Sequence, residues 1–183
     1  MALLSHIPHS ACGHVLAPNH SAMQIREAQI EDAVEACQIL RRSIVELCRA
    51  DHQDDPDVLE KWLNNKTPDN VRSWIAHPDS YVFVAMENTT IVGVGAVTSG
   101  GEITLNYVSP DARFRGVSKA LLNQLEAKAL ELGNGVCALT STETARRFYL
   151  SAGYEEQRLP SARGGAASSY RMVRQLSPPT RAG

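Results

Sequence analysis

Residues 108–128, VSPDARFRGVSKALLNQLEAK, pass from the end of an extended run through a proline turn into a helix, with Arg113, Arg115 and Gly116 at the junction. Apolar residues then recur at helical spacing, at Leu121, Leu122, Leu125, Ala129 and Leu132, and Gly133 follows where a glycine commonly closes a helix. The first N–H groups of a helix have no partner in the ladder and carry the positive end of its dipole, so an anion fits there. Gly116 has no side chain to keep a phosphate from the backbone, Ser118 adds a hydroxyl, and the planar forks of Arg113 and Arg115 suit phosphate oxygens. The junction reads as a pyrophosphate cradle made by the N–H groups of Phe114, Arg115, Gly116, Val117, Ser118 and Lys119. Taken alone, it reads equally well as an ordinary strand-to-helix turn with solvated arginines. The GxGxxG and GxxxxGK[ST] patterns are absent, which argues against NAD and ATP.

Upstream, the period is extended. YVFVAMENTTIVGVGAVTSGGEITLNYVSP (81–110) reads as three strands in hairpin order, with turns at Glu87–Thr89 and at Ser-Gly-Gly. Before it, MQIREA (23–28) is a short strand, and residues 31–50 form a helix striped by Val34, Cys37, Leu40, Ile44, Leu47 and Cys48. Residues 51–79 give two short helices with Pro56 and Pro68 near their starts, anchored by Leu59, Trp62, Leu63, Val71, Trp74 and Ile75. Downstream lie the strand GVCALTS, the helix TETARRFYLSA closed by Gly153, the strand YEEQRL, a Gly/Ser loop at 160–169 and a last strand, YRMVRQL. Hairpins followed by a strand–helix–strand crossover predict an α/β domain: a mixed, largely antiparallel twisted sheet of six or seven strands with helices on both faces.

The chain has 183 residues, 43% of them hydrophobic, which suits one domain over 23–176 with a poorly ordered leader at 1–22 and a frayed tail at 177–183. The leader holds His6, His9, His14, His20 and Cys12, but their spacing matches no metal site. Cys12, Cys37, Cys48 and Cys137 form no CxxC pair and read as packed thiols in a reducing compartment, hence a cytoplasmic protein. A net charge of −2 gives no global field to attract nucleic acid or an anionic membrane, and no apolar run approaches the roughly 20 residues needed to span one.

Arg113-Phe114-Arg115-Gly116-Val117-Ser118, preceded by LNYVSP, resembles the acyl-CoA-binding motif of the GNAT superfamily of N-acetyltransferases, Gln/Arg-x-x-Gly-x-Gly/Ala. About 30 residues on, TSTETARRFYLSAGY resembles that family's Asn-x-x-Ala-x-x-Phe/Leu-Tyr-x-x-x-Gly-Phe/Tyr helix. The resemblance covers roughly Met23 to Leu176. Two positions depart from it: Ser118 replaces the small Gly/Ala, and Thr142 stands where the family often has asparagine, at a position that contacts the cofactor.

The resemblance implies acetyl-CoA as co-substrate, no metal, and direct acetyl transfer to a primary amine of a small molecule or protein. The alternative is a non-catalytic acyl-CoA-binding module. The fourth and fifth strands are expected to splay around the pantetheine arm, placing Asn106, Tyr107 and Val108 against it, with a backbone N–H near Tyr107 or Val108 for the thioester oxygen. Tyr149 matches the tyrosine that donates a proton to the departing thiolate. Candidate bases for the amine are Glu102 and His52 with Asp51. The helices of 51–77 and the loop 160–168 shape the acceptor pocket in that family, and Asp51, Asp54, Asp55 and Asp57 give it an acidic rim suited to a cationic amine. By the same analogy, YRMVRQL offers an edge for a homodimer.

Overall fold

The computed structural model describes residues 23–157 and 169–177. The expected leader, most of the Gly/Ser loop and nearly all of the tail lie outside them. The elements in chain order are β1 (Gln24–Glu27), α1 (Ala33–Leu47), α2 (Arg49–His52), α3 (Pro56–Leu63), α4 (Pro68–Ala76), β2 (Ser80–Glu87), β3 (Thr90–Thr98) and β4 (Glu102–Val108). Then come α5 (Val117–Glu131), β5 (Val136–Thr142), α6 (Glu143–Ser151), β6 (Glu155–Glu156) and β7 (Ser169–Gln175). The strands form one seven-stranded sheet in the order β1-β2-β3-β4-β5-β7-β6, antiparallel except where β4 meets β5. The expected mixed sheet is therefore present.

Local chemistry explains the helix starts. Asp55 accepts hydrogen bonds from the N–H groups of Asp57 and Val58 with Pro56 at the first helical position, and Thr67 does the same for Asn70 ahead of Pro68. Asn88 takes the left-handed turn position between β2 and β3 at φ +56°.

Two buried clusters sandwich the sheet. Ala33, Ala36, Cys37, Leu40 and Val71 of α1 and α4 pack on Val82, Val84, Val94 and Leu105, while Val117, Leu121, Leu122 and Leu125 of α5, with Tyr149 of α6, pack on Phe83, Val97, Ile103 and Leu139. Gly93 lets α5 come close: a Cβ there would lie 2.7 Å from Val117 Cγ1 and 3.2 Å from the Tyr107 carbonyl.

Three expectations are corrected. The first helix breaks at Cys48, and Val34 is 46% exposed because the buried stripe runs through Ala33 and Ala36 instead, small residues that let the backbone approach the sheet. Of the anchors named for 51–79, only Val71 is buried; the others are half-buried. The last strand, β7, lies between β5 and β6, so the edge at this end of the sheet is the two-residue β6.

Candidate active site

β4 and β5 pair at only two positions, Glu102 with Ala138 and Ile103 with Leu139, although β5 pairs with β7 along all of 136–142. Beyond Ile103 the two strands part. The cause lies in β4: Ala96 and Val97 of β3 face Leu105 and Ile103, leaving Thr104 as an extra, bulged residue that bends the strand. The bulge also reverses the alternation of faces. Ile103 packs with the α5 cluster, whereas Leu105 and Tyr107 turn toward the α1 cluster, which leaves Asn106 and Val108 on the α5 side.

The backbone reverses with the side chains. Ser109 N–H donates to the Val92 carbonyl at 2.8 Å, and antiparallel pairing alternates, so Tyr107 N–H also faces β3. The N–H and C=O groups of Asn106 and Val108 therefore point into the opening. Of the two positions named for a thioester contact, Val108 offers its backbone and Tyr107 its side chain.

A cleft of about 460 Å³ runs through this opening. On one side it is lined by Arg113, Phe114, Gly116, Val117, Ser118 and Lys119, on the other by Ser43 and Leu47 of α1 and by Cys48 just after it, with Thr142, Ala145 and Tyr149 along β5 and α6. Gly116 precedes α5 at φ +83° with open space where a Cβ would stand, and the first ladder bond runs from Ala120 N–H to its carbonyl at 2.9 Å. The N–H groups of Val117, Ser118 and Lys119 are thus left free of the ladder. These free N–H groups, together with the buried and unpartnered Asn106 Oδ1, fit a ligand carrying phosphate and amide groups.

The two arginines separate. Arg113 borders the cleft, while Arg115 reaches back 28 residues to Glu87 at 2.6 Å, because the end of β2 puts a carboxylate within reach of the turn. Thr142 Oγ1 accepts from Ala145 N–H at 3.3 Å, so its hydroxyl caps α6.

Tyr149 is 7% exposed and borders the cleft, its ring edge-on to Phe148 at 5.0 Å and to Tyr154 at 5.6 Å. Tyr154 is in turn fixed by donating to Glu126 at 2.9 Å, the carboxylate that also receives Arg174. Burial pushes the Tyr149 hydroxyl up to about 12, and a hydrogen bond from the Asn106 amide lowers it by less. The phenol stays protonated at neutral pH.

The expected bases sit elsewhere. Glu102 forms a double ion pair with Arg171, 2.6 Å at Oε2, and is not in the cleft lining. His52 is buried; its Nδ1 accepts from Asp54 N–H at 3.0 Å, its Nε2 lies 3.3 Å from the Val45 carbonyl, and its ring stands edge-on to Trp62. Asp51 turns inward to the start of α6, and Asp54, Asp55 and Asp57 are exposed away from the cleft, so the acidic rim does not form. Among the described residues the lining contains no carboxylate and no histidine. On the α1 side it offers Cys48, whose thiol burial pushes up to about 11, and Tyr107, whose hydroxyl burial also raises. Cys137 is a fully buried free thiol in the α5 cluster.

Sequence reasoning did not find Ser43, Leu47 and Cys48 as cleft residues. A serine within an apolar stripe was the available signal.

The family profile described as "Acetyltransferase (GNAT) domain" matches residues 47–172. A GCN5-related N-acetyltransferase structure from Rhodopseudomonas palustris is similar at a TM-score of 0.74 and 22% identity, covering 90% of this chain and 100% of its own. PaiA N-acetyltransferase from Thermoplasma acidophilum, in complex with coenzyme A, is similar at 0.71 and 18% identity, covering 85% and 99%. YncA from Salmonella typhimurium, with its cofactor acetyl-CoA, is similar at 0.65 and 20% identity, covering 86% and 96%. No curated protein matches. Among the described residues no helix is long and apolar enough to cross a membrane, and no three ligating side chains converge to hold a metal ion.

Proposed function

The chain belongs to the GNAT acetyltransferase family, and on that premise we propose that it transfers the acetyl group of acetyl-CoA directly to a primary amine of a small molecule or protein. The observation that carries the reading is the parting of β4 from β5 after two pairs, with free helix N–H groups at one end of the opening and a buried tyrosine along it. Bound there, acetyl-CoA supplies an activated acyl carbon: the amine nitrogen bonds to it, the C–S bond breaks, and the amine's surplus proton passes to water.

The residues divide the work. Val117, Ser118 and Lys119 N–H groups hold the pyrophosphate, with Arg113 adding charge at the rim. Asn106 and Val108 present backbone groups to the pantetheine arm, and Val108 N–H is the donor that would stabilise the charge gained by the thioester oxygen. Tyr149 donates a hydrogen bond to the departing sulfur. A phenol held near 12 is a weak acid, so its contribution is a hydrogen bond that strengthens as the thiolate forms. The acceptor enters from the side of Ser43, Leu47, Cys48 and Tyr107, where neutral groups favour an amine that arrives unprotonated.

The missing base also suits the second reading, a CoA-binding module without turnover. Thiol release from acetyl-CoA across a panel of primary amines, run beside calorimetric CoA titration, separates the two. Saturable, amine-dependent release supports the transferase; binding without release on any amine supports the module; absence of binding sinks both.

A further inference from the structure

Phe114 is 94% exposed and holds φ at +60°, a left-handed conformation that a bulky side chain rarely adopts. It gains no packing in return, since no core residue covers its ring. One face carries the Arg113 guanidinium, 4.7 Å from the ring centre, and the other is open. The ring stands at the cleft rim beside Gly116 and the free N–H groups of Val117 to Lys119, on the opposite side of the sheet from Ser43 and Cys48. A strained, solvated aromatic next to a phosphate cradle has a use if a flat ligand group covers it.

We propose that Phe114, backed by Arg113, is the stacking platform for the adenine ring of coenzyme A. The inference rests on the acetyl-CoA reading. With the thioester arm inside the opening and the pyrophosphate at the start of α5, the adenosine has to emerge at this rim, where base–aromatic stacking is sequence-tolerant and a neighbouring arginine strengthens it. The position suits a purine better than the acceptor amine, which meets the cleft at its α1 end.

Calorimetric titration of the full chain with CoA and with 4′-phosphopantetheine, which lacks the adenosine, tests this. Phe114→Gly relieves the left-handed backbone and so preserves the fold, which a melting curve without ligand checks; Phe114→Trp keeps an aromatic face. Phe114→Gly is expected to weaken CoA about tenfold, the effect typical of losing one base stack, to leave 4′-phosphopantetheine unchanged, and to be matched by no such loss in Phe114→Trp. Unaltered CoA affinity in Phe114→Gly, or equal weakening of both ligands, overturns the platform alone. Wild-type protein that binds neither ligand overturns the acetyl-CoA reading and the platform with it.

Discussion

The carboxylate of Asp51, at the end of α2, accepts a hydrogen bond from the backbone N–H of Glu143, the first residue of α6, at 2.8 Å across 92 residues. Thr144 N–H adds longer contacts of 3.4 Å to both oxygens, and Asp51 is 7% exposed. A buried negative charge thus satisfies the start of the helix that carries Tyr149, and ties it to the α1–α2 segment bordering the far end of the cleft. Asp51→Ala is expected to lower stability by about 1–3 kcal/mol, since it strands buried N–H groups, while Asp51→Asn keeps an acceptor and recovers most of the loss. Urea denaturation of the two variants checks the ordering.

Tyr149→Phe is expected to lower kcat by about 10- to 100-fold, at or below the low end for a positioned proton donor because a hydrogen bond rather than a full transfer is lost, with CoA affinity nearly constant. The sign with pH follows from burial. The hydroxyl is raised from its ordinary value near 10 to about 12, so its donor form persists through pH 10 and the wild-type kcat shows no decline there from this group. Burial of the neutral phenol stabilises the fold fully below pH 10, and that contribution is lost as pH climbs toward 12. Tyr149→Phe removes that part of the alkaline destabilisation, which a pH series of melting curves detects.

Glu102→Gln addresses the base. With Glu102 held by Arg171 and the described lining free of carboxylates, the rise of kcat/KM with pH follows the acceptor amine's own pKa. The substitution is expected to leave that limb in place and to cost up to about 1 kcal/mol of stability, as a half-exposed ion pair does. Two acceptor amines of different basicity, compared on wild type and variant, supply the measurement.

Much of the fold was legible. The change of period at Tyr81, the proline-marked helix starts and the glycines at 133 and 153 are local signals, and each element they mark is present. The helix start with its free N–H groups was legible for the same reason, because Gly116 and the helix after it are adjacent in the chain. What escaped depends on partners far apart. Nothing near Arg115 announces Glu87, and nothing near Asp51 announces the start of α6. The Thr104 bulge, which opens the sheet and exchanges the faces of Asn106 and Tyr107, has no signature in a run of alternating residues. Thr142 matched a cofactor-contacting position in the family pattern, while TETA is also a capping sequence, and capping is what its hydroxyl does.

Gly93→Ala tests the packing that sets the cradle over β4. A Cβ 2.7 Å from Val117 and 3.2 Å from the Tyr107 carbonyl requires α5 to move, so the variant is expected to lose about 1–3 kcal/mol and to bind CoA more weakly. Denaturation and calorimetry on the same sample show both effects.

Backbone amide exchange, followed by NMR with and without coenzyme A, tests the site most directly. Tyr107 N–H, already paired to β3, should exchange slowly in both states, while Asn106, Val108, Val117, Ser118 and Lys119 should become protected only with the ligand. Protection that leaves Asn106, Val108 and the start of α5 unchanged would contradict the assignment of the β4–β5 opening as the acetyl-CoA site.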